Sequence, residues 1–232
     1  MGAALNRKAA IVLISLVLSP VLGSAQAATI VSADAFFSQL SAAYAQVKDY
    51  EADLKITRGD AISTGLLSYK SPLYLNIKFD KPKDQVINFD GEQLLVYDPV
   101  DGAVLSQTYK KKTPAQLEGL VSSQGLNLWQ KNYTIAYLTG PSPVPLEDGS
   151  REMVVKLKLD AKGTTSFSQM ILSVNRDLMI IRRVEGTLVS GDKLVMDFTD
   201  VRTNQNLPDS RFAYTAPPYA SETPDWLFDP EQ

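Results

Sequence analysis

Two reactive residue types are missing from the 232-residue sequence, which contains no cysteine and no histidine. Without them the chain can form no disulfide, thiolate nucleophile, Cys/His zinc site or Ser-His catalytic pair. Most hydrolytic and redox mechanisms therefore lack the side chains on which they depend, and the acidic residues show no metal-ligand spacing. The sequence favours a binding protein over an enzyme, and it predicts neither a metal site nor a cofactor.

A large excess of charge of one sign is also absent. The 23 Lys+Arg and 26 Asp+Glu residues give a formal net charge of −3, so the chain lacks the positive excess that is typical of nucleic-acid binding. Apolar residues make up 44% of the chain and charged residues 21%, which is close to the composition of globular domains. A chain of this length forms one large domain or two small ones.

The first 27 residues have the features of a cleaved signal peptide. Arg7 and Lys8 precede an almost continuous apolar stretch over residues 9–22, and residues 25–27 (Ala-Gln-Ala) supply the small residues that signal peptidase requires. A transmembrane anchor is the alternative, but the apolar stretch is shorter than the roughly 20 residues that cross a bilayer. We expect cleavage after Ala27, export to a bacterial periplasm, and a soluble mature domain over residues 28–232.

The mature chain is predicted to begin with a helix over Ser32–Val47. Ser32 is a suitable N-cap residue, and apolar residues follow it at helical spacing: Phe36, Leu40, Tyr44 and Val47. From Tyr50 onward the apolar period changes to two, and Gly, Asn and Asp turn signals separate the runs. The pattern predicts about ten to twelve strands, joined mostly by hairpins, in an antiparallel sheet that curves on itself.

A second helical segment interrupts the predicted strands. Thr113 and Pro114 are typical of an N-cap and a first helical position, and Gly125 is typical of the residue that follows a helix. Between them one face carries Leu117, Leu120 and Val121. The segment Thr113–Trp129 therefore predicts one or two short amphipathic helices that cover one face of the sheet.

Several predicted strands carry apolar residues on both faces, such as Leu94 and Val96 on one face and Leu95 and Tyr97 on the other. One interpretation is that both faces pack against protein. The other is a concave apolar face that is partly unfilled and able to take an acyl chain. Composition does not separate these interpretations, since a filled core and a lipid cavity use the same residue types.

Four segments, in order along the chain, resemble the LolA-type periplasmic lipoprotein carriers. They are residues 50–54 (YEADL), 65–75 (GLLSYKSPLYL), 88–99 (NFDGEQLLVYDP) and 211–217 (RFAYTAP). The resemblance implies a mainly β (α+β) fold, an incomplete antiparallel β-barrel with an N-terminal helix and a short helical lid over an apolar cavity. The chain would form a single domain after the signal peptide, with 211–217 as its closing strand and an extended tail from about Pro217.

The resemblance also implies a function. LolA-type proteins carry lipoprotein acyl chains from the inner to the outer membrane, so the expected partners are acylated lipoprotein or lipid cargo, an inner-membrane ABC transporter and an outer-membrane receptor. The chain would act as a monomer, without a cofactor and without nucleic acid. The alternative is a regulatory module of the same fold that senses lipid or lipoprotein instead of moving it.

Site residues follow from the same resemblance. The predicted acyl-cavity residues are Leu75, Ile77, Phe79, Leu95, Tyr97, Met196 and Phe198. The predicted lid residues, which move away as cargo binds, are Leu117, Leu120 and Val121.

The position that holds the lid closed differs from the family. The family has an arginine before the proline at Pro72, and here Ser71 occupies this latch position. A serine has one short donor and no charge. We therefore expect a lid that is less strongly held, unless Lys70 reaches it.

Overall fold

The structure, a computed structural model, describes residues 31–109 and 121–226. The predicted signal peptide, its cleavage site, and Leu117 and Leu120 lie outside these ranges. The helices are α1 (Ala33–Ala45) and α2 (Ser123–Asn132), and a 3₁₀ turn spans Asp209–Arg211. The strands are β1 (Asp49–Arg58), β2 (Ala61–Lys70), β3 (Tyr74–Lys81), β4 (Val86–Asp90), β5 (Gln93–Asp98), β6 (Ala103–Thr108), β7 (Tyr133–Tyr137), β8 (Val144–Pro145), β9 (Met153–Ala161), β10 (Phe167–Asn175), β11 (Ile180–Leu188), β12 (Lys193–Thr203) and β13 (Ser221–Pro224).

Helix α1 forms where the sequence predicts it. The Oγ of Ser32 accepts a hydrogen bond from the Ala35 backbone N–H at 3.2 Å and caps the first turn. Phe36, Leu40 and Tyr44 are buried on one face of the helix. The same apolar stripe that predicts the helix therefore holds it against the sheet.

One sheet contains the thirteen strands of the described residues, in the order β13-β6-β5-β4-β3-β2-β1-β12-β11-β10-β9-β7, with β8 paired to β9 beside this path. Every neighbouring pair is antiparallel except β13 and β6. Within the described ranges β13 and β7 lie at opposite ends of the path, so the barrel is not closed. The predicted incomplete antiparallel barrel with helices is confirmed.

The two faces of the sheet are distinct. The face that carries Leu54, Leu67 and Leu157 packs with α1 and α2 in one core, and we call it the inner face. Directly paired residues on neighbouring strands share a face, so the ladder Leu54↔Phe198 extends the inner face onto β12. The opposite, outer face carries a second and smaller apolar cluster around Val86.

Within the described residues, helix α2 overlaps the helical segment predicted over Thr113–Trp129. Its N-cap is Ser122, whose Oγ accepts a hydrogen bond from Gly125 N at 3.2 Å. Gly125 thus lies buried in the first turn of α2, and the prediction that it follows a helix is wrong because Ser122, three residues earlier, caps the helix that contains it. The Ser41 hydroxyl of α1 donates to Asn127 Oδ1 of α2 at 2.8 Å and joins the two helices.

Neither α1 nor α2, the two α-helices within the described residues, is long and apolar enough to cross a membrane.

The C-terminal segment lies on the outer face. Residues 211–217, predicted as a closing strand, are not a strand: they begin in the 3₁₀ turn and continue without a ladder. The alternation of Phe212 and Tyr214 reflects an extended chain lying on an apolar surface, which produces the same period as strand pairing. Pairing begins later, where β13 lies parallel to β6 at the edge of the sheet.

Candidate functional site

An apolar cavity of about 100 Å³ lies between the inner face of the sheet and α2. The described residues that line it are Tyr50, Leu54, Ile56, Leu67, Leu75, Ile77, Val121, Trp129, Phe167, Met170, Val184, Met196 and Phe198. All of them are apolar or aromatic. The described part of the lining therefore offers hydrocarbon contact and no charged group, which suits the apolar part of a ligand.

Four of the seven predicted sheet residues line this cavity, namely Leu75, Ile77, Met196 and Phe198. Phe79 does not line it but is buried in the same core. Of the predicted lid residues, Val121 lines the cavity immediately before α2. These residues come from β3, β12 and the segment before α2, so strands distant in sequence contribute to one site.

The structure does not bring Leu95 and Tyr97 to the cavity. Both belong to the outer-face cluster with Val86 and Val104. The register explains this placement, because Ile77 pairs with Ile87, and Ile87 pairs with Val96. On β5 the inner face is therefore carried by Leu94 and Val96 rather than by Leu95 and Tyr97.

Sequence reasoning missed the contribution of β10 and β11. Phe167 and Met170 on β10 and Val184 on β11 line the cavity. The side chain of Phe167 lies over Gly186, where an added Cβ would come within 2.5 Å of the phenyl ring. A glycine in mid-strand often marks such a close approach, and this signal could have identified the wall of the cavity.

Two tyrosines, packed against each other at a tilt of 35°, lie beside the segment that leads into α2. The rings of Tyr50 and Tyr69 lie 5.2 Å apart between centroids. The Tyr50 hydroxyl donates to the Val121 carbonyl oxygen at 3.1 Å. Burial, with a smaller contribution from the neighbouring Tyr44 and Tyr69, raises the pKa of Tyr50 well above its usual range. The hydroxyl therefore remains a proton donor at physiological pH.

The latch position lies beside this pair. The Tyr69 hydroxyl donates to the Pro72 carbonyl oxygen at 3.2 Å. Burial raises the pKa of Tyr69, and the neighbouring Ser122 and Ser71 hydroxyls offset part of the rise. Ser71 is thus near the start of α2, although its own side chain is exposed. Lys70 does not reach the lid: its Nζ contacts the Leu207 carbonyl oxygen at 2.9 Å and Asp209 at 2.5 Å. Lys70 follows Tyr69 in β2 and therefore points to the outer face.

We expect Tyr50→Phe to speed the binding of an acyl probe. The change removes the hydrogen bond to the Val121 carbonyl and keeps the ring, so the segment before α2 is held less strongly. A net loss of about 0.5–1.5 kcal/mol corresponds to a roughly 2- to 10-fold larger open population. Stopped-flow fluorescence with cis-parinaric acid measures the association rate.

The matched control is Tyr137→Phe, which removes a hydroxyl that donates to the Val31 carbonyl oxygen at 2.9 Å and does not line the cavity. Its association rate should equal that of the unmodified protein. Equal rates for all three proteins would show that the Tyr50 hydroxyl does not restrain access.

Comparisons with known proteins agree with this architecture. The family described as "Outer membrane lipoprotein carrier protein LolA" matches residues 36–215. An outer-membrane lipoprotein carrier protein of Bordetella avium is 25% identical over 206 residues, which cover 86% of this chain and 92% of that protein.

Solved structures are similar at lower identity. An uncharacterized conserved protein from Thermus thermophilus matches with a TM-score of 0.53 and 11% identity, covering 82% of this chain and 96% of that one. A LolA superfamily protein from Nitrosomonas europaea has a TM-score of 0.40 and 14% identity, covering 79% and 98%. The first of these similarities supports the fold, and the family match spans every residue that lines the cavity.

Proposed function

The chain belongs to the LolA family, and on that premise we propose that it is a periplasmic carrier that moves lipoproteins from the inner to the outer membrane. The acyl chains of the lipoprotein would occupy the cavity between the inner face and α2. The observation that carries the proposal is the lining of that cavity, in which every described side chain is apolar or aromatic. The name of the relative from Bordetella avium supports a lipoprotein as cargo. The proposed role is carriage and not catalysis.

Burial of hydrocarbon supplies the affinity. Each methylene removed from water contributes about 0.8 kcal/mol, so an acyl chain gains strongly from an apolar cavity. The cavity of about 100 Å³ is smaller than the roughly 150 Å³ that accommodates a benzene molecule. An acyl chain therefore has to displace side chains that already pack there, such as Val121 and the half-buried Met196.

Displacement makes binding reversible. Contacts among the wall residues are lost as contacts with the acyl chain form, so the net affinity is well below the full gain from burial. A carrier needs this balance, since it has to release its cargo. We include Leu117 and Leu120 in the proposed set of displaced lid residues, with Ser71 as the latch position.

The proposed partners follow from family membership. An inner-membrane ABC transporter would load the protein, and an outer-membrane receptor would accept the cargo. The protein would reach the periplasm through a signal peptide that is cleaved after Ala27, and it would act as a soluble monomer.

Native mass spectrometry of the protein recovered from the periplasm tests this function. The full chain is expressed with its own signal sequence, extracted by osmotic shock and analysed without denaturation. We expect a bound fraction whose added mass equals that of an acylated lipoprotein. Release of a labelled lipoprotein from spheroplasts into the supernatant on addition of the purified protein provides the functional measurement. Bound phospholipid alone, with no lipoprotein released, would contradict lipoprotein carriage.

A further inference from the structure

A second cavity, of about 220 Å³, lies where the C-terminal end of α1 meets the β10–β11 turn and the end of β12. Its apolar and aromatic lining consists of Ala43, Tyr44, Val47, Tyr50, Leu178, Met179, Ile180 and Val201. Polar side chains of Gln46, Thr203 and Asn204 complete it, and Gln46 and Asn204 are exposed. The cavity thus combines an apolar interior with a polar margin.

Tyr50 separates the two cavities. It is the one described residue that lines both of them. Its ring is buried and packs against Tyr69, and among the described residues its hydroxyl makes one hydrogen bond, to the Val121 carbonyl oxygen. Displacement of this ring would connect the apolar cavity at α2 with the second cavity.

Part of the margin of the second cavity is apolar, on the side of the β10–β11 turn. Leu178 is 67% exposed there, in a turn that is fixed by the Asn175 side chain, whose Oδ1 accepts hydrogen bonds from Asp177 N at 3.1 Å and Leu178 N at 3.0 Å. The turn thus keeps a leucine exposed beside the cavity. Its side chain offers water no hydrogen-bonding partner. Such an arrangement suits a hydrocarbon chain better than a hydrated solute.

We propose that the second cavity is a subsite for the methyl end of a long acyl chain, which reaches it from the first cavity when Tyr50 moves aside. This inference rests on the proposed function. The first cavity is too small for a long chain, and the second, on the other side of Tyr50, provides further space with a largely apolar lining. The polar margin at Gln46, Thr203 and Asn204 would limit the length of chain that fits.

Chain-length dependence of binding tests the subsite. Ala43→Phe places a phenyl ring in the second cavity, and Ala42→Phe, at the neighbouring exposed position of α1, is the matched control. Affinities for decanoic acid and octadecanoic acid are measured by displacement of cis-parinaric acid. Since each buried methylene is worth about a fourfold gain in affinity, Ala43→Phe should weaken octadecanoic acid about tenfold or more. Decanoic acid should change by less than about twofold, and Ala42→Phe should affect neither acid.

Two outcomes would overturn the subsite. If Ala43→Phe weakens both acids equally or weakens neither, the second cavity holds no part of the chain, while the proposed function stands because the unmodified protein still binds. If the unmodified protein binds neither acid, the proposed function fails together with the subsite.

A measurement on the unmodified protein removes dependence on the folding of a variant. Octadecanoic acid that carries a nitroxide label near its methyl end should broaden the methyl NMR signal of Met179, which lines the second cavity. The signal of Met153, an exposed residue that lines neither cavity, should remain sharp. Equal broadening of both signals, or broadening of neither, would exclude the labelled end from the second cavity.

Discussion

Leu75→Glu is expected to lower the affinity for an acyl probe by at least about tenfold, which corresponds to about 1.4 kcal/mol. Leu75 lines the cavity between the inner face and α2. A carboxylate there would either remain charged beside hydrocarbon or take up a proton at a free-energy cost, because no described residue of the lining can pair with it. Titration of the protein with cis-parinaric acid provides the measurement.

The control for this variant is Leu95→Glu. Leu95 is also half-buried, and it lies two strands away on the outer face. The two variants make the same substitution at half-buried leucines and differ in the face of the sheet that receives the carboxylate. We expect Leu95→Glu to keep the affinity within about twofold of the unmodified protein. Thermal melts establish that both variants are folded. An equal loss of binding in the two variants would contradict the assignment of the inner face.

Asn88→Ala is expected to lower the free energy of unfolding by about 2–5 kcal/mol. Asn88 is buried; its Oδ1 accepts from Asn76 Nδ2 at 2.8 Å and its Nδ2 donates to the Phe212 carbonyl oxygen at 2.9 Å. Truncation leaves the Asn76 amide and the Phe212 carbonyl oxygen buried without their hydrogen bonds to Asn88. Each unsatisfied buried polar group costs about 1–3 kcal/mol. The melting temperature should fall by roughly 5–15 °C.

A double-mutant cycle with Asn76→Ala distinguishes this explanation from a simple loss of packing. The double variant removes the Asn76 amide as well, so it should lose less stability than the sum of the two single variants. Urea denaturation of the four proteins gives the coupling energy. Additive losses, or a loss below about 0.5 kcal/mol for Asn88→Ala, would show that the pair does not fix the C-terminal segment to the sheet.

The local elements that the sequence predicts well are those with a short-range physical cause. The N-cap of α1 depends on Ser32, three residues from its partner. The turn between β4 and β5 depends on Asp90, whose Oδ1 accepts from Glu92 N at 2.9 Å and Gln93 N at 2.8 Å. The alternation of Val155, Leu157 and Leu159 gives the buried face of β9. Each of these features is determined within a few residues.

The choice between two apolar faces is different in kind. On β5 both faces are apolar, with Leu94 and Val96 on one and Leu95 and Tyr97 on the other. The sequence pattern therefore identifies a strand but does not identify which face points to the core. That choice depends on the register with β3 and β4 and on Phe212 and Tyr214, which lie more than a hundred residues later and cover the outer face. The assignment of Leu95 and Tyr97 to the cavity failed for this reason.

The resemblance identified the family, but it could not identify the full wall of the site. The motifs lie in the segments around β1 to β5 and in the C-terminal segment, whereas Phe167, Met170 and Val184 lie between them on strands with no motif. Their contribution depends on the pairing of β1 with β12, which joins the two halves of the sheet. When a site is formed by strands that are distant in sequence, no single segment predicts which residues line it.

The parallel pairing of β13 with β6 protects the chain from unwanted partners. β6 would otherwise present free backbone N–H and C=O groups, which act as a template for other extended polypeptides. Residues Ser221–Pro224 occupy that edge, and Glu222 accepts a hydrogen bond from the Ser106 hydroxyl at 2.5 Å. The C-terminal segment therefore covers an edge that could otherwise pair with an incompletely folded chain or with a second copy of this protein.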